Sequence, residues 1–363
     1  MKLDPQQPLN DKFRSAVQAS LDRFLDTQKD LLAQTGHRLD MVWDQVQHFA
    51  QGGKRLRPAF CYWGYVAAAG AAKEPPQAVM DIAASLDLLH LSALVHDDLI
   101  DDSDTRRGGP AAHRYFEAYH KAQGWQGDSH HFGRGAAVLT GDLLFAWSVS
   151  MVEQAAISAE RLKRARPYLD AMRSEVVAGQ FLDLIHQDKP SQGEDLLEEA
   201  YLVMEFKTAK YTVARPVQVG AALGLAGDDT QQGLSRFGAH VGHAFQMRDD
   251  LLGIFGDPAV TGKPAGDDLR EGKKTVLVGY ALNNASPGDA HRLSQMLGDP
   301  TLTETDIDEA RRILIESGAV ESTEKAIVTE ASASMKFIHR LDLHAEGTYA
   351  LMALVHAAVE RTA

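Results

Sequence analysis

The chain has 363 residues, 44% of them hydrophobic, enough to bury a large core in one domain or two. Its formal net charge of −13 argues against broad binding to nucleic acid or anionic membranes. A single cysteine, Cys61, excludes an internal disulfide and any multi-cysteine metal site.

The polar start, Met1 to Asn10, reads as a flexible tail without the apolar core of a signal peptide. The first basic segment follows, Gly52-Gly-Lys-Arg-Leu-Arg-Pro58. Its glycine pair lets a backbone approach an anion, Lys54, Arg55 and Arg57 supply charge, and Pro58 can open the next helix. Ala83, Leu86, Leu89, Ser92 and Ala93 then recur at helical spacing and lead into His96-Asp-Asp-Leu-Ile-Asp-Asp102, with Arg106 and Arg107 just beyond. The stretch Gly124–Gly135 reads as a surface insertion. Val138, Leu139, Leu143, Leu144 and Trp147 mark another buried helix.

Leu234, Phe237, Val241 and Phe245 define a helix that ends in Arg248-Asp-Asp-Leu-Leu-Gly253. A Gly-rich loop with Lys263, Lys273 and Lys274 comes next, and the chain from Thr301 onward is helical and charge-mixed with no evident chemistry. No run alternates convincingly enough for a sheet, and no apolar run reaches the roughly 18 uncharged residues of a bilayer span. The reading is all-α, a single domain over 1–363, cytoplasmic, without a membrane span.

On a helix, Asp97 and Asp101 share one face about 6 Å apart along the axis, with Asp98 about 100° round. Hard oxygen donors in such a pair suit Mg²⁺, which takes a few carboxylates and completes its shell with water and phosphate oxygens. Adjacent arginines make sense if a polyanion shares the metal, since guanidinium grips phosphate bidentately. Asp249 and Asp250 repeat the arrangement, and two facing pairs could clamp a diphosphate. A solvated acidic helix end is the plain alternative for either pair alone.

The set Gly52-Gly-Lys-Arg-Leu-Arg-Pro, His96-Asp-Asp-Leu-Ile-Asp with Arg106-Arg-Gly, Gly179-Gln-Phe-Leu-Asp183, Lys207-Thr208 and Phe245-Gln-Met-Arg-Asp-Asp with Gly-Lys-Pro resembles the trans-isoprenyl diphosphate synthases, and bacterial geranylgeranyl diphosphate synthases most. These motifs stand in family order from about residue 50 to 280. The resemblance implies an isoprenoid-synthase-type helical bundle around a central active-site cavity, usually homodimeric. It implies Mg²⁺, three ions in all, with Asp97 and Asp101 as ligands, Asp98 supporting them, Asp249 as the second-motif ligand and Asp250 beside it. Arg106, Lys207, Thr208, Gln246, Lys263 and Lys273 match positions that hold an allylic diphosphate (dimethylallyl, geranyl or farnesyl). Lys54, Arg57, His90 and Arg107 match the isopentenyl diphosphate site. Gln180 and Asp183 support the active site, Asp183 as either a water-mediated metal contact or a purely structural acid.

Product length is expected from the helix before the first cluster. Ser92 and Ala93 lie about one turn before Asp97, and each isoprene unit extends roughly one helical turn. Small residues leave the channel open where an aromatic would stop growth near fifteen carbons. Leu89, a turn deeper, or a side chain from another helix could be the floor, which points to a C20 product, geranylgeranyl diphosphate, with a longer- or shorter-chain synthase as the alternative. The second cluster departs from the family pattern in having Gly253 where a third acid is expected, and Asp257, between Gly256 and Pro258, is not assigned as a ligand. A class I terpene cyclase or a non-catalytic synthase subunit is the rival reading. The first would not need Lys54 and Arg57, and the second should have lost acids or arginines of the first motif.

Overall fold

Helix α1 (Asp11–Thr35) starts where Asn10 accepts a hydrogen bond from the Phe13 amide at 2.9 Å, the N-cap geometry that satisfies an otherwise orphaned donor. Residues 3–10 before it are not a tail in this computed structural model, which describes residues 3–70, 76–189, 194–256 and 266–360. Leu3 is buried, and the Trp63 indole donates to the Pro8 carbonyl at 3.3 Å. An apolar anchor and an indole needing a partner hold the segment down.

The described chain divides into two compact units. One comprises 1–167, 216–227 and 343–354; the other comprises 168–215, 228–342 and 355–363. In the first, α2 (Asp40–Ala50), α3 (Leu56–Ala69), α4 (Gln77–Ile100), α5 (Ala112–Ala122) and α6 (Ser129–Glu153) follow α1. Helix α4 is apolar around most of its circumference, which suits a central helix packed by α1, α3 and α6. Helices α4 and α6 are each long and apolar enough to cross a bilayer, but 78% of the apolar window of α4 is buried within the fold. For α6 the share is 44%.

The expected surface insertion at 124–135 resolves into a short connection and the first turns of α6. Gly133 lies there against the His113 carbonyl, too close for any side chain. Among the described residues only Thr105–Arg106 (β1) and Gly109–Pro110 (β2) form strands, as one antiparallel pair between α4 and α5. Cys61, on α3, is buried; its carbonyl lies where a Cβ on Gly220 would stand, within the same unit.

Helix α7 (Ala159–Asp188) is followed by α8 (Glu194–Val203), a π-helical stretch (Met204–Ala214), α9 (Arg215–Leu223) and α10 (Asp228–Phe255). Six further helices complete the described chain: α11 (Asp267–Arg270), α12 (Val276–Asn284), α13 (Pro287–Met296), α14 (Glu304–Glu316), α15 (Ala319–Ile338) and α16 (Ala345–Val359). In the second unit α10 packs against both the π-helical stretch and α15. Its glycines Gly238 and Gly242 leave no room for a Cβ against the backbone of Ala214 and Ala209. Four residues of α10 thus advance as far as five residues of the wider π winding.

Candidate active site

The basic segment before α3 turns on Arg55, whose φ of 54° is left-handed and unusual for a residue with a side chain. That conformation directs Arg55 inward. It is buried, pairs with Asp87 at 2.5 Å, and donates to the Ala50 carbonyl at 2.7 Å and to Gln18. Arg55 therefore belongs to the fold, while Lys54 is exposed and Arg57 half-buried.

Gly53, with φ of 88°, lets the Arg107 guanidinium rest about 3 Å from where a Cβ would stand. Arg107 donates to the carbonyls of Phe49 and Gln51. His90 shares this surrounding. Burial, and then the guanidinium groups of Arg57, Arg107, Arg106 and Arg55, push its pKa well below the usual imidazole value, so it is neutral at pH 7. The sequence-predicted group of Arg57, His90 and Arg107 is thus brought together.

At the end of α4, Asp101 keeps right-handed helical torsions and its amide donates to the Asp97 carbonyl at 2.8 Å. Asp97 and Asp101 consequently remain one turn apart on one face. Asp98 has a different environment: it is 1% exposed and accepts from Arg106 Nε at 2.7 Å and again from its terminal nitrogen. Arg106 also lies 4.0 Å from Asp97. Along α4, Leu89 and Ser92 are buried and Ala93 is partly exposed.

In the second unit the Lys207 ammonium is held by buried Asp183 at 2.6 Å, and Gly179 of α7 lies against the Lys207 backbone. Thr208 is the next residue on the π-helical stretch. Asp249 is exposed at the end of α10, whereas Asp250 is buried and accepts from Gln246 at 2.7 Å. Burial raises the Asp250 pKa well above its usual range; the Gln246 bond opposes this and the charges of Asp268 and Asp249 reinforce it.

Lys273 pairs with Glu271 and stands 3.7 Å from Asp268. Lys274 is directed elsewhere, onto the His186 and Lys189 carbonyls at the end of α7. Lys263 and Asp257 lie outside the described residues.

Gly253, the position lacking its expected acid, has the Asp268 carboxylate where its Cβ would be. An acid thus reaches that place from a different helix, a contact that the Gly266-Asp-Asp run could not reveal without the fold. Among the described residues no three His, Cys, Asp or Glu side chains converge as a ready-made metal centre. The carboxylates at each helix end are hard oxygen donors, too few to encage an ion, and fit a Mg²⁺ whose remaining positions are filled by water or substrate oxygen.

Acid pairs at the ends of two apolar helices, each beside arginine or lysine, define an all-helical protein of the kind that handles phosphorylated ligands. A sequence model of the family described as polyprenyl synthetase matches residues 40–314, and the chain belongs to that family. It is 38% identical, with a TM-score of 0.93, to the geranylgeranyl pyrophosphate synthase of Corynebacterium glutamicum, solved with isoprenyl diphosphate and magnesium, over 97% of this chain and 99% of that one. It is 32% identical to a geranylfarnesyl diphosphate synthase of Aeropyrum pernix over 75% of this chain and 79% of the relative. A nonaprenyl diphosphate synthase of Mycobacterium tuberculosis is 29% identical over 96% and 94%. The chain is accordingly a transferase of prenyl groups, in a family whose members differ in product length.

Proposed function

We propose that the protein condenses isopentenyl diphosphate head-to-tail with an allylic diphosphate, releasing pyrophosphate and making geranylgeranyl diphosphate. The observation that carries this reading is the Asp97–Asp101 pair, one turn apart at the end of α4, with Arg106 anchored beside it on Asp98. Asp97, Asp101 and Asp249 are the residues that would hold magnesium, three ions in all. When bound, magnesium supplies charge that makes the allylic diphosphate a leaving group.

The chain's own cations complete that task. Arg106, Lys207, Thr208, Gln246, Lys263 and Lys273 orient the allylic diphosphate, and Lys54, Arg57, His90 and Arg107 hold isopentenyl diphosphate. Departure of pyrophosphate leaves an allylic cation, the isopentenyl double bond attacks it to form the new C–C bond and a tertiary cation, and loss of a proton from the carbon next to that cation to the released pyrophosphate forms the new double bond. No protein nucleophile is required.

The C20 product rests on buried Leu89 and Ser92 and on Ala93 along α4. Purified protein incubated with Mg²⁺, isopentenyl diphosphate and each allylic primer should give C20 product. Leu89→Ala should lengthen it and Ala93→Phe shorten it; unchanged products from both would refute this ruler, and no condensation with any primer would sink the enzyme reading.

The same reading includes a homodimer. Leu139 of α6 is 70% exposed and Val138 42%, although apolar spacing alone marks both as buried. A second copy of the chain is the cover proposed for them. The central burial of α4 and the acidic charge favour a cytoplasmic enzyme over a membrane-spanning one.

A further inference from the structure

The π-helical stretch Met204–Ala214 carries Lys207 and Thr208, and such winding is uncommon beyond a single turn. Something must hold it. Steric fit with α10 is one part, through Gly238 and Gly242. The other part is a line of charged side chains that joins that stretch to α10 and α15.

His243 of α10 lies between two acids from different elements. Its Nε2 is 2.8 Å from Glu205 Oε2, on the π-helical stretch two residues before Lys207. Its Nδ1 is 3.6 Å from Glu330 Oε2, on α15. Glu330 is also bonded to His240 Nδ1 at 2.6 Å. Beyond Glu205 the line continues through Lys210, which is 3.7 Å from both Glu205 and Glu175, to Arg215, which donates to Glu175 at 2.7 Å. Three elements are tied together at one imidazole, and the acid two residues before Lys207 is one of its partners.

We propose that His243 is a positioning residue for the allylic diphosphate: as an imidazolium bridging Glu205 and Glu330, it fixes the turn that presents Lys207 and Thr208. It acts through Glu205 and touches no substrate. The inference rests on the prenyl-transfer reading, which assigns Lys207 to that diphosphate.

Burial alone would lower the His243 pKa, but the hydrogen bond to Glu205 and the nearby Glu330 carboxylate outweigh it and raise it to about 9. Glu330 is correspondingly held down at about 2, against its own burial, by His240 and His243. The groups that face His243 are Glu205 and Lys210 from the π-helical stretch, Glu330 from α15, His240 from its own helix, and the Tyr201 ring of α8 at 6.1 Å. Tyr201 is bonded to Tyr280 and its pKa is raised, first by burial, so it stays neutral where His243 titrates. The bridge is therefore complete at neutral pH and is lost as pH rises through about 9.

The test uses the full chain and two variants, His243→Gln, which removes the cation, and Glu205→Gln, which leaves the imidazole in place. The KM for the allylic diphosphate should rise about ten-fold in each, the scale of losing a supporting hydrogen-bond partner, with the KM for isopentenyl diphosphate within about two-fold of wild type. Direct calorimetric binding of farnesyl diphosphate should weaken in parallel. Wild-type binding should also fall as pH passes about 9, and His243→Gln should lack that limb.

Equal KM values and the same pH profile, with only a lower Tm, would overturn the proposal. If His243→Gln does not fold, Glu205→Gln is judged by the same KM split. A wild-type chain that condenses no primer would sink the prenyl-transfer reading and this proposal with it; an active wild type with unaltered variants sinks this proposal alone.

Discussion

Arg55 and Arg57 are two residues apart in one basic segment and have different fates. The left-handed turn at Arg55 sends its guanidinium to Asp87, 32 residues further on, while Arg57 remains among the groups around His90. Residue type and spacing revealed a basic site, but only the backbone torsion separates an arginine of the fold from one available to an anion. Arg55→Ala should cost about 3–5 kcal/mol in denaturant unfolding, because Asp87 is left as an uncompensated buried charge. His90 carries a second expectation. Its folded pKa lies below the ordinary 6.5, so its contribution to stability is complete above that value and is lost as pH falls through it. The Tm of wild type should fall between about pH 7 and 5.5 more steeply than that of His90→Gln, whose side chain stays neutral in both states.

At the scale of elements, helical periodicity located α4 and α10 and placed both acid pairs at helix ends. It could not locate the π winding, because the i→i+5 register arises from how α10 meets that stretch and not from its local residues. Gly238 and Gly242 set the approach, each with a neighbouring backbone where a side chain would be. Gly242→Ala is expected to destabilise by about 1–3 kcal/mol, the cost of forcing atoms into a filled contact, and to lower activity beyond the loss of folded protein. Thermal melts beside activity at a temperature where both proteins are fully folded would separate the two effects. Helix α15, in the charge-mixed part of the sequence where no chemistry was legible, supplies Glu330 to His240 and His243 and Glu324 to Arg248. Pairings 76 and 90 residues apart leave no local trace in a sequence.

For the whole molecule, the all-helical class followed from periodicity, and the family from motifs in order. The division of α6 into covered and uncovered faces did not follow. Apolar spacing identifies a face that avoids water, but not whether the same chain or another copy covers it. Leu144 and Trp147 are buried in the chain and Leu139 is not. If a second copy covers Leu139, Leu139→Lys should shift the protein from dimer to monomer in light scattering while its circular dichroism stays helical; an unchanged dimer would remove α6 from the interface.

Cys61 gives the fold a built-in reporter. It is the chain's one thiol, enclosed in α3, and burial raises its pKa far enough that thiolate is scarce. A thiol reagent should therefore modify the native chain only when the packing around α3 opens. The rate of labelling, followed with and without substrate analogues, becomes a clock for breathing of the core beside the basic segment, read from one atom and without an engineered probe.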